Sequence, residues 1–221
     1  MADRWATFDC YGTIVDWNEG IRRELARLFG EAESTRLLES YHRMEPQVQE
    51  QQPDLPYREV MARVLGELAV EHGEPLPDDE RDSLGRSLPD WPVFDDAPPA
   101  LQEARDRGWK LVMLSNTDRE FIEASTEAIG VPFELSIVAG EIGSYKPAHR
   151  HWEVFQEQTG TDPERHVHVA QSHFHDVVPA AELGIPSVWI NRLGERHDLA
   201  PTRELQGLSG LADTLDELVP G

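Results

Sequence analysis

Phe8-Asp9-Cys10-Tyr11-Gly12-Thr13 follows a short apolar run near the start of the chain, and its reading decides the rest. An aspartate at the end of a first strand, with a glycine three residues on to let the backbone turn, is placed as a nucleophile over a parallel sheet. Arg4 to Asp9 reads as that strand, and the Gly12 turn ends it.

Outward from this stretch the pattern is first helical. Asn18 reads as the N-cap of a helix whose apolar residues Ile21, Leu25, Leu28 and Phe29 share one face, closed by Gly30. Leu37, Leu38, Tyr41 and Met44 mark a second helix, and Val60, Val64, Leu65 and Leu68 a third, with Pro53, Pro56, Pro75 and Pro77 in the loops. After Trp91-Pro92 the pattern alternates. A helix from Pro98 to Arg107 leads to a buried strand, Lys110 to Leu114, and a helix bearing Phe121, Ala124, Ala128 and Ile129 leads to Phe133 through Val138. His149 to Gly160 and Ala180 to Leu183 read as helices before the strands Val167 to Ala170 and Ser187 to Ile190; the acidic tail reads as a surface helix, Leu208 to Leu218. Such alternation implies right-handed crossovers, and so an α/β fold: a doubly wound, mainly parallel sheet with a Rossmann-like core. The expected division is a core of residues 1–15 and 93–221, with a helical cap, 16–92, inserted after the first strand.

Composition bounds the function. The 221 residues are 39% apolar and carry a formal charge of −22, which argues against nucleic-acid partners and against docking on anionic membranes. No run approaches the ~18 apolar residues of a membrane span. The single cysteine, Cys10, excludes an internal disulfide and fits a reducing compartment, so the expected location is cytoplasmic. Despite its place beside Asp9, Cys10 reads as a small buried core residue, since no histidine lies near it in sequence.

Four polar groups fall at the carboxyl ends of the expected strands: Asp9; Ser115-Asn116; Lys146 within Ser144-Tyr145-Lys146-Pro147; and Ser172 through Asp176. Each alone is an ordinary loop start or N-cap. In this order they resemble the four motifs of the haloacid dehalogenase superfamily over nearly the whole chain. The resemblance implies Asp9 as nucleophile, Ser115 as the second-motif hydroxyl, Lys146 as the third-motif lysine and Asp176 as an acid of the fourth. Phosphatases of that superfamily carry a second aspartate two residues after the nucleophile and a Gly-Asp pair in the fourth motif for magnesium; Tyr11 and Gln171-Ser172 stand there instead.

Asp9-x-Tyr11-Gly12-Thr13 with Ser115-Asn116, Tyr145-Lys146-Pro147 and Trp189-Ile190-Asn191-Arg192 resembles the L-2-haloacid dehalogenase branch. That likeness implies hydrolysis of short 2-haloalkanoic acids through an aspartyl ester, without metal or other cofactor, Lys146 keeping Asp9 and Asp176 ionised. It assigns the small anionic substrate to Ser115 and Asn116, with Tyr11, Thr13, Ser172 and His173 around it, and suggests a homodimer. His173 stands where an asparagine is usual. The cap arginine that cradles halide would fall at Ser40, so Arg43, one helical turn away, is the nearest candidate. Histidines 168, 173 and 175 mimic a metal cluster, but His168 alternates with Val167 and Val169 and reads as a strand-face residue. The alternatives are a magnesium-dependent phosphatase and a catalytically silent binding protein on the same fold.

Overall fold

The computed structural model describes residues 3–73 and 76–221, so Pro75 lies outside the described residues. Six parallel strands form one sheet in the order β3-β2-β1-β4-β5-β6. They are β1 (Arg4–Phe8), β2 (Trp109–Ser115), β3 (Leu135–Val138), β4 (His166–Ala170), β5 (Ser187–Ile190) and β6 (Arg203–Leu205). The chain winds from β1 through β2 to β3 on one side, then returns to place β4, β5 and β6 on the other. The switch therefore lies between β1 and β4, and the crevice beyond their carboxyl ends is where an open parallel sheet offers a ligand site.

β1 is central and buried on both faces. Ala6 and Phe8 point into the larger core, while Thr7, also fully buried, points to the opposite face. Register sets Phe8 level with Met113 of β2 and Val169 of β4, so Asp9 emerges beside the ends of both neighbours.

Between β1 and β2 the chain is helical: α1 (Trp17–Phe29), α2 (Glu31–Gln51), α3 (Tyr57–His72), the short α4 (Ser83–Ser87), then α5 (Ala97–Asp106) at the sheet. The first helix begins one residue before the expected cap: Asp16, not Asn18, is the N-cap, accepting from Glu19 N at 3.0 Å. An aspartate just ahead of the helix satisfies a first-turn N–H that a side chain inside the helix cannot reach. The second helix runs 21 residues, well beyond the Leu37–Met44 stripe, because its apolar face continues to Val48. Pro46 lies inside it and takes the intrahelical donor from the His42 carbonyl.

This helical insert hangs from a paired stalk. Val15 and Val93 form an antiparallel bridge, Asp16 N donates to the Pro92 carbonyl at 2.7 Å, and Phe94 N donates to Ile14 at 2.9 Å. Above the stalk, Gly20 is required by contact: a Cβ there would lie 2.3 Å from Cγ of Trp91. On the far side, the Asp118 carboxylate of the core accepts from Tyr57 N and Arg58 N at 3.1 and 2.9 Å, supplying α3 with the N-cap that Pro56 cannot.

The rest of the core adds α6 (Arg119–Ile129), α7 (Ala139–Ile142), α8 (Arg150–Thr159), α9 (Val178–Glu182) and α10 (Leu211–Leu218). Two differences from the sequence reading have simple causes. β6 is an edge strand of three residues with no apolar alternation, so it carries no periodic signal. The tail helix starts at Leu211 because Gly210, at φ +79°, ends the preceding turn.

Candidate active site

A cavity of about 350 Å³ opens over the carboxyl ends of β1 and β4, between the sheet and the insert. Asp9, Tyr11, Ser115, Asn116, Lys146, Ser172, His173 and Asp176 all line it.

Asp9 is held at both oxygens: Lys146 Nζ donates to Oδ1 at 3.0 Å, and Thr13 Oγ1 donates to Oδ2 at 2.8 Å. Gly12, at φ +92°, makes the turn that brings Thr13 back to the aspartate; a Cβ there would lie 3.0 Å from the Gln171 side chain. Thr13 Oγ1 also accepts from Gln171 N at 2.8 Å, tying the loop after β1 to the loop after β4. Thr13 thus fixes the orientation of the Asp9 carboxylate.

Lys146 is 1% exposed and spends its three donors on Asp9, on Asp176 Oδ1 at 2.7 Å and on the Leu114 carbonyl at 2.8 Å. Asn116 fixes it, accepting from Lys146 N at 2.6 Å and donating to its carbonyl at 2.9 Å. The Asn116 amide is thus tied to the lysine through its oxygen and one of its two N–H groups. Ser115 differs: its hydroxyl is buried and has no protein partner, which leaves it available in the cavity.

The two carboxylates share one ammonium unequally. For Asp176, burial opposes the charge, but Lys146 and the His168 hydrogen bond outweigh it and hold the carboxyl well below the usual range. Burial pushes Asp9 up; Lys146 pulls it down, and Asp176 adds to the rise. Lys146 favours the charged form of both carboxylates, and on Asp9 the Thr13 hydroxyl adds to that pull against burial.

Tyr11 turns its hydroxyl to Ser125 Oγ at 3.0 Å and sets its ring edge-on to Trp91, so the residue in the phosphatase acid's place is a wall of the cavity. The chain from His173 to Val177 forms a π-type turn capped by Ser172, whose Oγ accepts from His175 N at 3.1 Å. His173 donates from Nε2 to the Leu199 carbonyl at 2.8 Å and stacks on His197, with ring centroids 4.0 Å apart.

Arg43 is not brought to the cavity. Its side chain, 55% exposed, pairs with Glu71 at 3.2 Å and bonds Ser40, on the outer face of the insert. The helical period explains this: Tyr41, Glu45 and Gln49 fall at i, i+4 and i+8 on the inner face of α2, and Arg43 is two residues off it. Glu45 and Gln49 line the cavity with Trp17, Asn18 and His42. Gln49 Nε2 donates to Glu45 Oε1 at 2.6 Å, and His42 meets Asn18 Oδ1 at 2.8 Å. Burial raises the Glu45 carboxyl to about 7, with Tyr57 pulling against it. None of these insert residues reads as a site residue from the sequence, although the four-residue spacing of Tyr41, Glu45 and Gln49 carries the signal.

Among the described residues no three His, Cys, Asp or Glu side chains are grouped to hold a metal ion. Asp9 and Asp176 already share Lys146, and the hydroxyl of Tyr11 is turned to Ser125.

The chain is 29% identical to the (S)-2-haloacid dehalogenase of Pseudomonas sp. (strain YL), a match covering 56% of this chain and 55% of that protein. It is 24% identical to the (S)-2-haloacid dehalogenase 4A of Burkholderia cepacia, covering 98% and 94%. A phosphoserine phosphatase of Thermus thermophilus is 30% identical over 62% of this chain and 55% of its own length. In fold, the L-2-haloacid dehalogenase RSc1362 superposes with a TM-score of 0.87 at 20% identity, covering 98% of this chain and 100% of that one. The family described as haloacid dehalogenase-like hydrolase matches residues 4–184, and the chain is a member of that family.

Proposed function

We propose that the chain hydrolyses short 2-haloalkanoic acids by a metal-independent route through an ester on Asp9. The observation that carries this reading is Asp9 itself: a buried carboxylate held at both oxygens, facing a cavity in which Tyr11 occupies the position from which a phosphatase's aspartate protonates its leaving group. In this scheme the Asp9 carboxylate attacks C2, a C–O bond forms, and the carbon–halogen bond breaks with its electron pair leaving on halide. Ser115 Oγ offers a donor to the substrate carboxylate. Water then attacks the carbonyl carbon of the ester, releasing the 2-hydroxy acid and restoring Asp9. The helical insert would act as a cap, and residues 16–92 would form that unit.

Charge supports a halide over a phosphate. The one ammonium in the cavity is already divided between two carboxylates, and burial lowers both His42 and His175 towards their neutral forms. A doubly charged phosphate would find little compensation there, whereas a monoanion that expels halide demands less. The phosphatase relative is the reason to keep magnesium-dependent phosphate-ester hydrolysis as the second reading. Cytoplasmic location and a homodimer belong to the proposal as well, the latter checked by light scattering in solution.

The test is halide release from chloro-, bromo- and fluoroacetate and both enantiomers of 2-chloropropionate, with phosphate esters alongside, each with added Mg²⁺ and with chelator. Halide release indifferent to both additions is the expected result. Phosphate release that requires Mg²⁺, with no halide from any acid, would overturn the assignment.

A further inference from the structure

Asp176 receives two donors on one oxygen: Lys146 Nζ at 2.7 Å and His168 Nε2 at 2.9 Å both meet Oδ1. Its Oδ2 is buried, has no protein partner, and belongs to a residue that lines the cavity. Behind Asp176 the bonding continues beneath the sheet. His168 Nδ1 lies 2.8 Å from Thr7 Oγ1, and Thr7 Oγ1 lies 2.7 Å from His166 Nε2. All four side chains are 3% exposed or less. The alternation of β4 makes this possible: His166 and His168 share the face of the sheet that Thr7 of β1 also occupies, packed against Phe155 and Trp152.

With one N–H on each imidazole, a single proton arrangement satisfies Asp176, His168, Thr7 and His166. The ionised Asp176 can only accept, so His168 carries its proton on Nε2. Its Nδ1 then accepts from the Thr7 hydroxyl, and the Thr7 oxygen accepts from His166 Nε2–H. Burial lowers His166 to about 3, which keeps that ring neutral and matches a single N–H at the end of the chain. Polar chains of this kind hold a buried carboxylate in one orientation because every alternative strands a donor or an acceptor.

We propose that His168, set by Thr7 and His166, is a positioning residue for the second half of the reaction: it pins Oδ1 of Asp176 so that Oδ2 takes the proton of the attacking water. The inference rests on the ester reading above. The water oxygen bonds to Cγ of Asp9 as one of its protons passes to Asp176 Oδ2. The bond from Cγ to the ester oxygen, one of Asp9's own, then breaks; the departing alkoxide recovers that proton as the 2-hydroxy acid, and the water's second proton, left on the Asp9 carboxyl, passes to solvent as the carboxylate is restored. Halide release, which precedes this, does not use Asp176 Oδ2.

Rapid-quench kinetics on 2-chloropropionate, with halide and hydroxy acid measured separately, distinguish the two halves. In His168→Leu the first turnover of halide stays within about threefold of wild type while hydroxy-acid release falls about 10- to 100-fold. The ester then accumulates on the peptide bearing Asp9, visible by mass spectrometry. Thr7→Val, nearly isosteric, shifts the same ratio in the same direction by less, and His168→Gln, which restores one N–H, recovers part of the loss. Imidazole ¹⁵N NMR, which needs no substrate, shows His168 protonated at Nε2 in wild type and a mixed tautomer in Thr7→Val. Equal slowing of both halves without an adduct, or an Nδ1-protonated His168, overturns the proposal. Should His168→Leu not fold, Thr7→Val carries the same test. Absence of halide from wild type would instead reject the reaction, and the tautomer measurement would still decide the geometry.

Discussion

The two walls of the cavity are built differently. On the sheet side Asp9, Lys146, Thr13 and Asn116 hold one another at 2.6–3.0 Å, while Ser115 Oγ and Asp176 Oδ2 are buried without a protein partner. On the insert side Glu45 is bonded to a neutral amide, His42 to a neutral amide, and the nearby cation, Arg43, faces outward to Glu71. The sheet side is pre-organised for one chemistry, whereas the insert side presents titratable and neutral groups that can favour one substrate over another. In the proposed reaction the carboxylate pair serves the chemistry, and the opposite wall is where one substrate would be favoured over another.

The largest expected effect breaks the sheet wall. Asp9→Asn removes the proposed nucleophile while keeping its shape, and turnover should fall about 10⁴-fold or more, measured as halide release. Next, Lys146→Met leaves two buried carboxylates without their ammonium; the variant loses activity and about 3–5 kcal/mol of stability in denaturant unfolding at pH 7.

The insert wall is sharpened by pH. The Glu45 carboxyl is raised to about 7 in the folded protein from 4.5, so the folded state binds more protons between those values. The stability it contributes is fully present below pH 4.5 and is lost as pH rises through 7, an effect of about 3 kcal/mol. Glu45→Gln should remove that slope and unfold at higher temperature than wild type at pH 8; an unchanged slope would show that Glu45 is not the group that titrates. A smaller effect follows from Asp118→Ala, which strips the cap from α3 and costs about 1 kcal/mol. Arg43→Ala should be smallest, changing stability by less than about 1 kcal/mol and leaving halide kinetics unchanged, because its partner and its side chain are on the outside.

The same contrast sets how much the sequence discloses. The motif residues Asp9, Ser115, Lys146 and Asp176 are readable because each follows a strand whose apolar run is plain, and a parallel sheet gathers strand ends at one edge. The insert contributes residues from α1, α2 and α3 whose meeting depends on helix packing, so counting residues from Asp9 points to Arg43 where geometry brings Glu45. His168 is legible only as a strand-face residue; its bond to Asp176 requires knowing that β1 and β4 are neighbours and that Thr7 bridges the two histidines. β6, with three partly or wholly exposed residues, leaves no pattern to read.

The paired stalk of Val15 and Val93 also bears on engineering. Entry and exit of the insert are stitched together by Asp16 N to Pro92 and Phe94 N to Ile14, so the two joints lie side by side on the core. Such adjacency makes the insert an exchangeable cassette: a foreign helical unit spliced between those joints would inherit an intact catalytic sheet. A cassette that retains Trp91 must also keep a glycine at the position of Gly20, where a Cβ would lie 2.3 Å from Cγ of Trp91.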